Sequence, residues 1–111
     1  MTLDYPTIVT EMPRADVPLP GVRGWLLQGP DRQGVFFVLE PGASVPEHSH
    51  GPQWGFVLEG ELELTVDDRR RSLGPGDSYE IAEGQLHSAR SPGGARVFDL
   101  FADPGRYRAE G

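Results

Sequence analysis

The chain has 111 residues, enough for one domain with a sizeable core. Its formal net charge of -7 repels phosphate backbones, so nucleic acid is not an expected partner. The absence of cysteine removes disulfides, thiolate catalysis and zinc–thiolate sites together.

Prolines at 6, 13, 18 and 20 forbid a long helix near the start, so residues 1–20 are expected to form an extended arm. No basic stretch followed by an apolar one is visible there, so no signal peptide is expected. No apolar run approaches membrane-spanning length, and a cytoplasmic location is the default expectation. Residues 24–28 read as a strand stopped by Gly29-Pro30-Asp31. Residues 35–39 are apolar throughout and read as a buried strand that ends at Pro41-Gly42. Residues 54–58 form another. In 61–66, Leu62, Leu64 and Val66 alternate with Glu61, Glu63 and Thr65, the pattern of a half-buried strand. Asp67-Asp68 then turns the chain into a return arm at 69–73. The run Arg69-Arg70-Arg71 reads as a solvated hairpin arm. Gly74-Pro75-Gly76-Asp77 turns into strands at 78–81, 86–89 and 95–101, with a short helical turn expected in 107–111. Many short strands with 15 Gly and 11 Pro between them fit a jelly roll or small barrel.

The three histidines carry the chemistry. His48 and His50 are two residues apart, and side chains two apart on a strand share a face. His87 follows in a second half that repeats the first, each half having a Pro/Gly turn before its histidine strand. Imidazole is the commonest metal-ligating side chain, and no histidine is spent elsewhere, so one shared metal ion is expected. A serine nucleophile fails on geometry, since Ser49 points away from its neighbours' common face. No phosphate-cradling glycine loop precedes a helix.

The spacing resembles the cupin superfamily. Its first motif reads here as Gly42, His48, His50, Gln53 and Gly60, and its second as Gly76, Ala82, Gly84, His87 and Ser91. The match runs from about residue 40 to 101. The strings Val57-Leu58-Glu59-Gly60-Glu61-Leu62 and Leu73-Gly74-Pro75-Gly76-Asp77-Ser78 are also similar to cupin sequence. The chain departs from the pattern at Gln53 for glutamate, Ala82 for proline and Ser91 for asparagine. The resemblance implies an all-β fold, a double-stranded β-helix of the jelly-roll or cupin-barrel type. On it we place an arm at 1–20, a barrel at 21–103 and a tail at 104–111. It implies a divalent transition metal (Fe, Mn, Ni, Cu or Zn) held by His48, His50, His87 and Gln53, and a homodimer.

Three neutral imidazoles and an amide leave such an ion at about +2, where a carboxylate would leave about +1. That charge favours a small organic, anionic substrate. The same exchange removes the ready base, so proton transfer needs another group. Glu47, Glu80 and Asp99 are the candidate carboxylates, and Tyr79 offers a phenol; each is also an ordinary strand residue on its own. Asp99 stands out inside the apolar strand Val97-Phe98-Asp99-Leu100-Phe101, where a charge must be paired or point into the barrel. Strand parity with Gln53 turns Gly55 and Val57 inward and Trp54 and Phe56 outward, with Gly55 expected to leave room beside the metal and Trp54 and Phe56 to meet a second copy. The expected activity is dioxygenase-like. Metal-dependent isomerase or lyase chemistry, and a non-catalytic binding role, are the alternatives, because this fold hosts many chemistries.

Overall fold

The computed structural model describes residues 4–111. Among the described residues, one helical turn, α1 (Thr7–Thr10), precedes nine strands. They are β1 (Val22–Gln28), β2 (Gln33–Leu39), β3 (Ala43–His48), β4 (Gln53–Gly60), β5 (Leu62–Val66), β6 (Arg69–Leu73), β7 (Ser78–Ile81), β8 (His87–Ser91) and β9 (Ala95–Phe101). Five form one antiparallel sheet in the order β1-β2-β9-β4-β7, and four form a second in the order β3-β8-β5-β6. Apart from the β1–β2 and β5–β6 hairpins, consecutive strands cross between the sheets, the topology of a jelly roll. No helix among the described residues is long and apolar enough to cross a membrane.

The alternation read from sequence sets the core. Leu62 and Leu64 of β5 turn inward to meet Val35, Phe37, Val57, Ile81, Val97 and Phe101 from the opposite sheet, all nearly or fully buried. Gly60 closes β4 at φ 83°, and a Cβ there would lie 2.1 Å from the Gly94 carbonyl oxygen. Only glycine satisfies both constraints.

The arm behaves differently from a free strand. It folds back on its own sheet: the Ala15 N–H donates to Gly24 O and the Leu26 N–H to Pro13 O, both at 2.8 Å. This covers the outer edge of β1, which would otherwise offer unpaired backbone groups. Tyr5 and Val9 pack on the outer face of the sheet, where the Tyr5 hydroxyl donates to Phe37 O at 2.8 Å. Residues 107–111 hold no helical turn, contrary to the sequence expectation. Ala109 instead bridges Ala15, the Asp16 N–H donates to Arg108 O and the Glu110 N–H to Arg14 O. The tail lies extended because the arm supplies backbone partners that a lone helical turn would lack.

The β5–β6 hairpin turns on Asp67 (φ 48°) and Asp68 (φ 66°), both left-handed, as a two-residue loop of this twist requires. Asp68→Gly is expected to stabilise the protein by about 0.5–1 kcal/mol, because roughly 1–2 kcal/mol of steric relief outweighs glycine's extra chain entropy. Urea unfolding midpoints check this, and a lower midpoint in the variant contradicts it.

Candidate metal centre

His48, His50 and His87 meet at one end of the barrel. His48 ends β3, His87 opens β8, and the two are register partners. Between Val45 and His48, β3 holds one more residue than the stretch of β8 it faces. Pro46 lies within this bulge and cannot donate to the ladder. The extra residue shifts the parity of β3, so His48 turns inward as Val45 does. His50 lies just past the strand, so strand parity alone does not place it, contrary to the simple two-apart argument. Its carbonyl accepts the Gly84 N–H at 3.0 Å, which ties it to the turn before β8. The ring centroids lie 4.2–5.2 Å apart, and the ligand atoms all fall within 4.8 Å of one another. Small ring rotations bring such a set to the metal–nitrogen distance of about 2.0–2.1 Å.

The hydrogen bonds fix the tautomers. Each Nδ1 faces a backbone carbonyl: Pro46 O for His48 at 2.7 Å, Gly51 O for His50 at 2.8 Å and Gln85 O for His87 at 2.9 Å. A carbonyl can only accept, so each Nδ1 carries the proton and each Nε2 keeps its lone pair. His87 Nε2 is buried with no partner. Burial pushes the His50 imidazole down to about 4 and also lowers that of His87, so at neutral pH both offer lone pairs to a cation.

Gln53 opens β4 and lines the same cavity. Its Nε2 donates to Asp99 Oδ1 at 2.8 Å, while its Oε1 is buried without a partner. A carboxylate accepts and does not donate, so Asp99 turns the amide nitrogen toward itself and the oxygen away. Gln53 Oε1 and His87 Nε2 are buried acceptors without partners, and a bound cation would satisfy both. Three imidazoles and a hard oxygen donor suit the first-row divalent metals.

Gly55 does not open room for a ligand. It pairs with Tyr79 on one side and Asp99 on the other. A Cβ at Gly55 would lie 2.0 Å from Tyr79 Cζ, so the phenol ring lies across the glycine and fills the space. That crossing lets the Tyr79 hydroxyl donate to Asp99 Oδ1 at 2.7 Å. Asp99 is therefore buried in the barrel, as its apolar strand required, with neutral donors as its hydrogen-bond partners. Burial raises its carboxyl to about 6, against the opposing pull of Tyr79, Gln53 and the charge of Arg106. Burial and the Asp99 charge push the Tyr79 phenol well above its usual range. Glu47 and Glu80 are exposed and do not line the cavity.

Sequence reasoning passed over Arg106. The Asp103-Pro104-Gly105 turn after β9 carries the chain back over the barrel, and Arg106 reaches the cavity beside Phe101 and Tyr107. Its guanidinium stands over the Tyr107 ring at 4.4 Å, and its Nε is buried and unpartnered. The only sequence signal was that turn, which returns the tail to the barrel. Leu19 of the arm joins the same lining. The cavity's free volume of about 60 Å³ is several times the roughly 10–15 Å³ that one water needs, so it has room for a small molecule.

The cupin domain matches the chain over residues 35–101. The chain belongs to the cupin family. Among solved structures, this cupin is similar to an RmlC-like cupin from Shewanella frigidimarina at 25% identity, covering 96% of this chain and 93% of that one, with a TM-score of 0.78. It is similar to KdgF from Halomonas sp. at 27% identity, covering 78% of this chain and 83% of that one, with a TM-score of 0.72. Oxalate decarboxylase from Bacillus subtilis shares the fold at 23% identity and a TM-score of 0.70, over 76% of this chain and 25% of that one. No curated protein matches the sequence.

Long-range proton–nitrogen NMR spectra of the metal-free cupin at pH 7 should show His48, His50 and His87 as Nδ1–H tautomers. An Nε2–H signal from His87 would contradict the assignment of that nitrogen as a free ligand.

Proposed function

We propose that this cupin is a metal-dependent enzyme that moves a proton on a small, oxygen-rich carboxylate, in an isomerisation or elimination. His48, His50, His87 and Gln53 Oε1 would hold a divalent ion. When bound, the metal supplies Lewis acidity toward a substrate oxygen. The chain's own residues supply the rest. Arg106, with its unpartnered Nε at the cavity wall, would pair with the substrate carboxylate. Asp99 would carry the proton. Both of its protein donors fall on Oδ1, which leaves Oδ2 to exchange a proton with substrate. Tyr79 and Gln53 would keep the carboxylate oriented through each transfer.

The observation that carries this reading is the buried carboxylate of Asp99 within a metal-type cavity. It supports proton-transfer chemistry over the dioxygenase expectation, which needs the same metal shell but no internal base. The two differ in their need for oxygen. The protein is incubated under argon in D2O with small hydroxy- and keto-carboxylates. NMR is expected to show deuterium entering carbon next to a carbonyl or hydroxyl, and Asp99→Asn is expected to slow this by about 100-fold or more. Turnover that requires oxygen would favour the dioxygenase. Full metal occupancy with no turnover would favour a binding role.

The outer face of the five-stranded sheet supports the homodimer. Trp54 and Leu100, 41% and 37% exposed, are register partners on that face and Leu58 extends the patch. Single large apolar residues need no explanation, but this contiguous group fits self-association. Trp54→Arg is expected to convert a dimer to a monomer in sedimentation. A monomeric wild type would contradict the assignment.

A further inference from the structure

Gln33 opens β2 with no solvent exposure. A buried amide needs partners inside the protein, and Gln33 finds them on the tail. Its Nε2 donates to Tyr107 O at 2.9 Å and to Gln28 Oε1 at 2.9 Å, with a longer contact to Pro104 O at 3.3 Å. Its Oε1 accepts the Tyr107 N–H at 3.0 Å. The side chain thus occupies both backbone groups of Tyr107, as a neighbouring strand would. Gln28 is its register partner across the β1–β2 hairpin and donates to Pro104 O at 2.7 Å. Two glutamine amides therefore pin residues 104 and 107.

Arg106 lies between the pins. Ala102 is the last tail residue before it to donate its N–H to the barrel backbone, to Pro52 O at 3.0 Å. From there to Arg108, whose carbonyl accepts the Asp16 N–H of the arm at 2.8 Å, the side-chain bonds that fix the tail to the barrel come from Gln33 and Gln28, with the Tyr107 ring packed against Phe37 and Phe101. With residues 103–107 loosened between these two anchors, Arg106 would swing out of the cavity, because its charge is better hydrated in solvent.

We propose that Gln33 is a positioning residue that holds Arg106 at the cavity wall and thereby sets the affinity of the site for small carboxylates. This rests on the reading of Arg106 as the group that recognises the anion. It adds a requirement on the opposite side of the barrel from the metal-binding histidine strands.

The test is calorimetric titration of oxalate, as probe, into the full chain loaded with cobalt(II). Four proteins are compared: wild type, Gln33→Met, Arg106→Leu and the double variant. Methionine keeps the shape of Gln33 and removes its hydrogen bonds. Gln33→Met is expected to keep its cobalt content, to weaken oxalate about tenfold, and to speed hydrogen exchange at the Tyr107 amide. In the Arg106→Leu background the same change is expected to cost almost nothing more, because the two residues act as one unit. A merely structural Gln33 would give additive losses or lower the cobalt content, and either result overturns the proposal. So does unchanged oxalate affinity in Gln33→Met when Arg106→Leu has lost it. Equal oxalate affinity in wild type and Arg106→Leu would instead overturn the role of Arg106 itself. Should Gln33→Met fail to fold, Gln28→Ala removes the pin on Pro104 from an exposed position. It is expected to weaken oxalate about threefold, and no change there would also overturn the proposal.

Discussion

The bond from Gln53 Nε2 to Asp99 Oδ1 fixes which end of the Gln53 amide is left free in the cavity. An amide has two faces, and without a fixed partner it presents either a donor or an acceptor. A cation needs the acceptor. The Asp99 carboxylate can only accept a hydrogen bond from Gln53, so it holds the amide nitrogen toward itself and leaves the buried oxygen without a partner. The exchange of the family's glutamate for Gln53 therefore does not strip the site of negative charge. A carboxylate remains beside it, in Asp99, one hydrogen bond behind the Gln53 amide. Tyr79 holds the same carboxylate oxygen, and Gly55 gives its ring a path across the sheet.

The site also joins the two sheets. His48 and His87 come from the four-stranded sheet, and Gln53 and Asp99 from the five-stranded one. Any ion held by this set would cross-link them and stabilise the fold by binding only the native state. The arm and tail close the assembly from the other side. Their backbone bonds to each other and to β1 leave Leu19, Arg106 and Tyr107 lining the same cavity. The fold therefore places an apolar wall, a charged guanidinium and a ligand set around one small space.

Much of this was legible in the sequence. Proline and glycine turns marked most strand ends, alternation gave the inward face of β5, and the histidine spacing pointed to the three-histidine cluster. Asp99 could be singled out because a carboxylate inside an apolar strand must have a reason. Three features were not legible, each for the same cause: they depend on contacts between distant residues. The bulge that turns His48 inward is a mismatch between β3 and β8, visible only once they pair. The space over Gly55 looked free because its occupant, Tyr79, arrives from a different strand. Arg106 sits on a tail with no periodic pattern, next to Tyr107, whose backbone is held by Gln33 from more than 70 residues earlier.

The most direct test of this account is a crystal structure with anomalous diffraction collected at the absorption edge of the bound metal. The account predicts one anomalous peak at about 2.0–2.2 Å from three Nε2 atoms and from Gln53 Oε1. A metal held by the histidines alone, with the Gln53 oxygen turned away or replaced by water, would contradict the role given to Asp99.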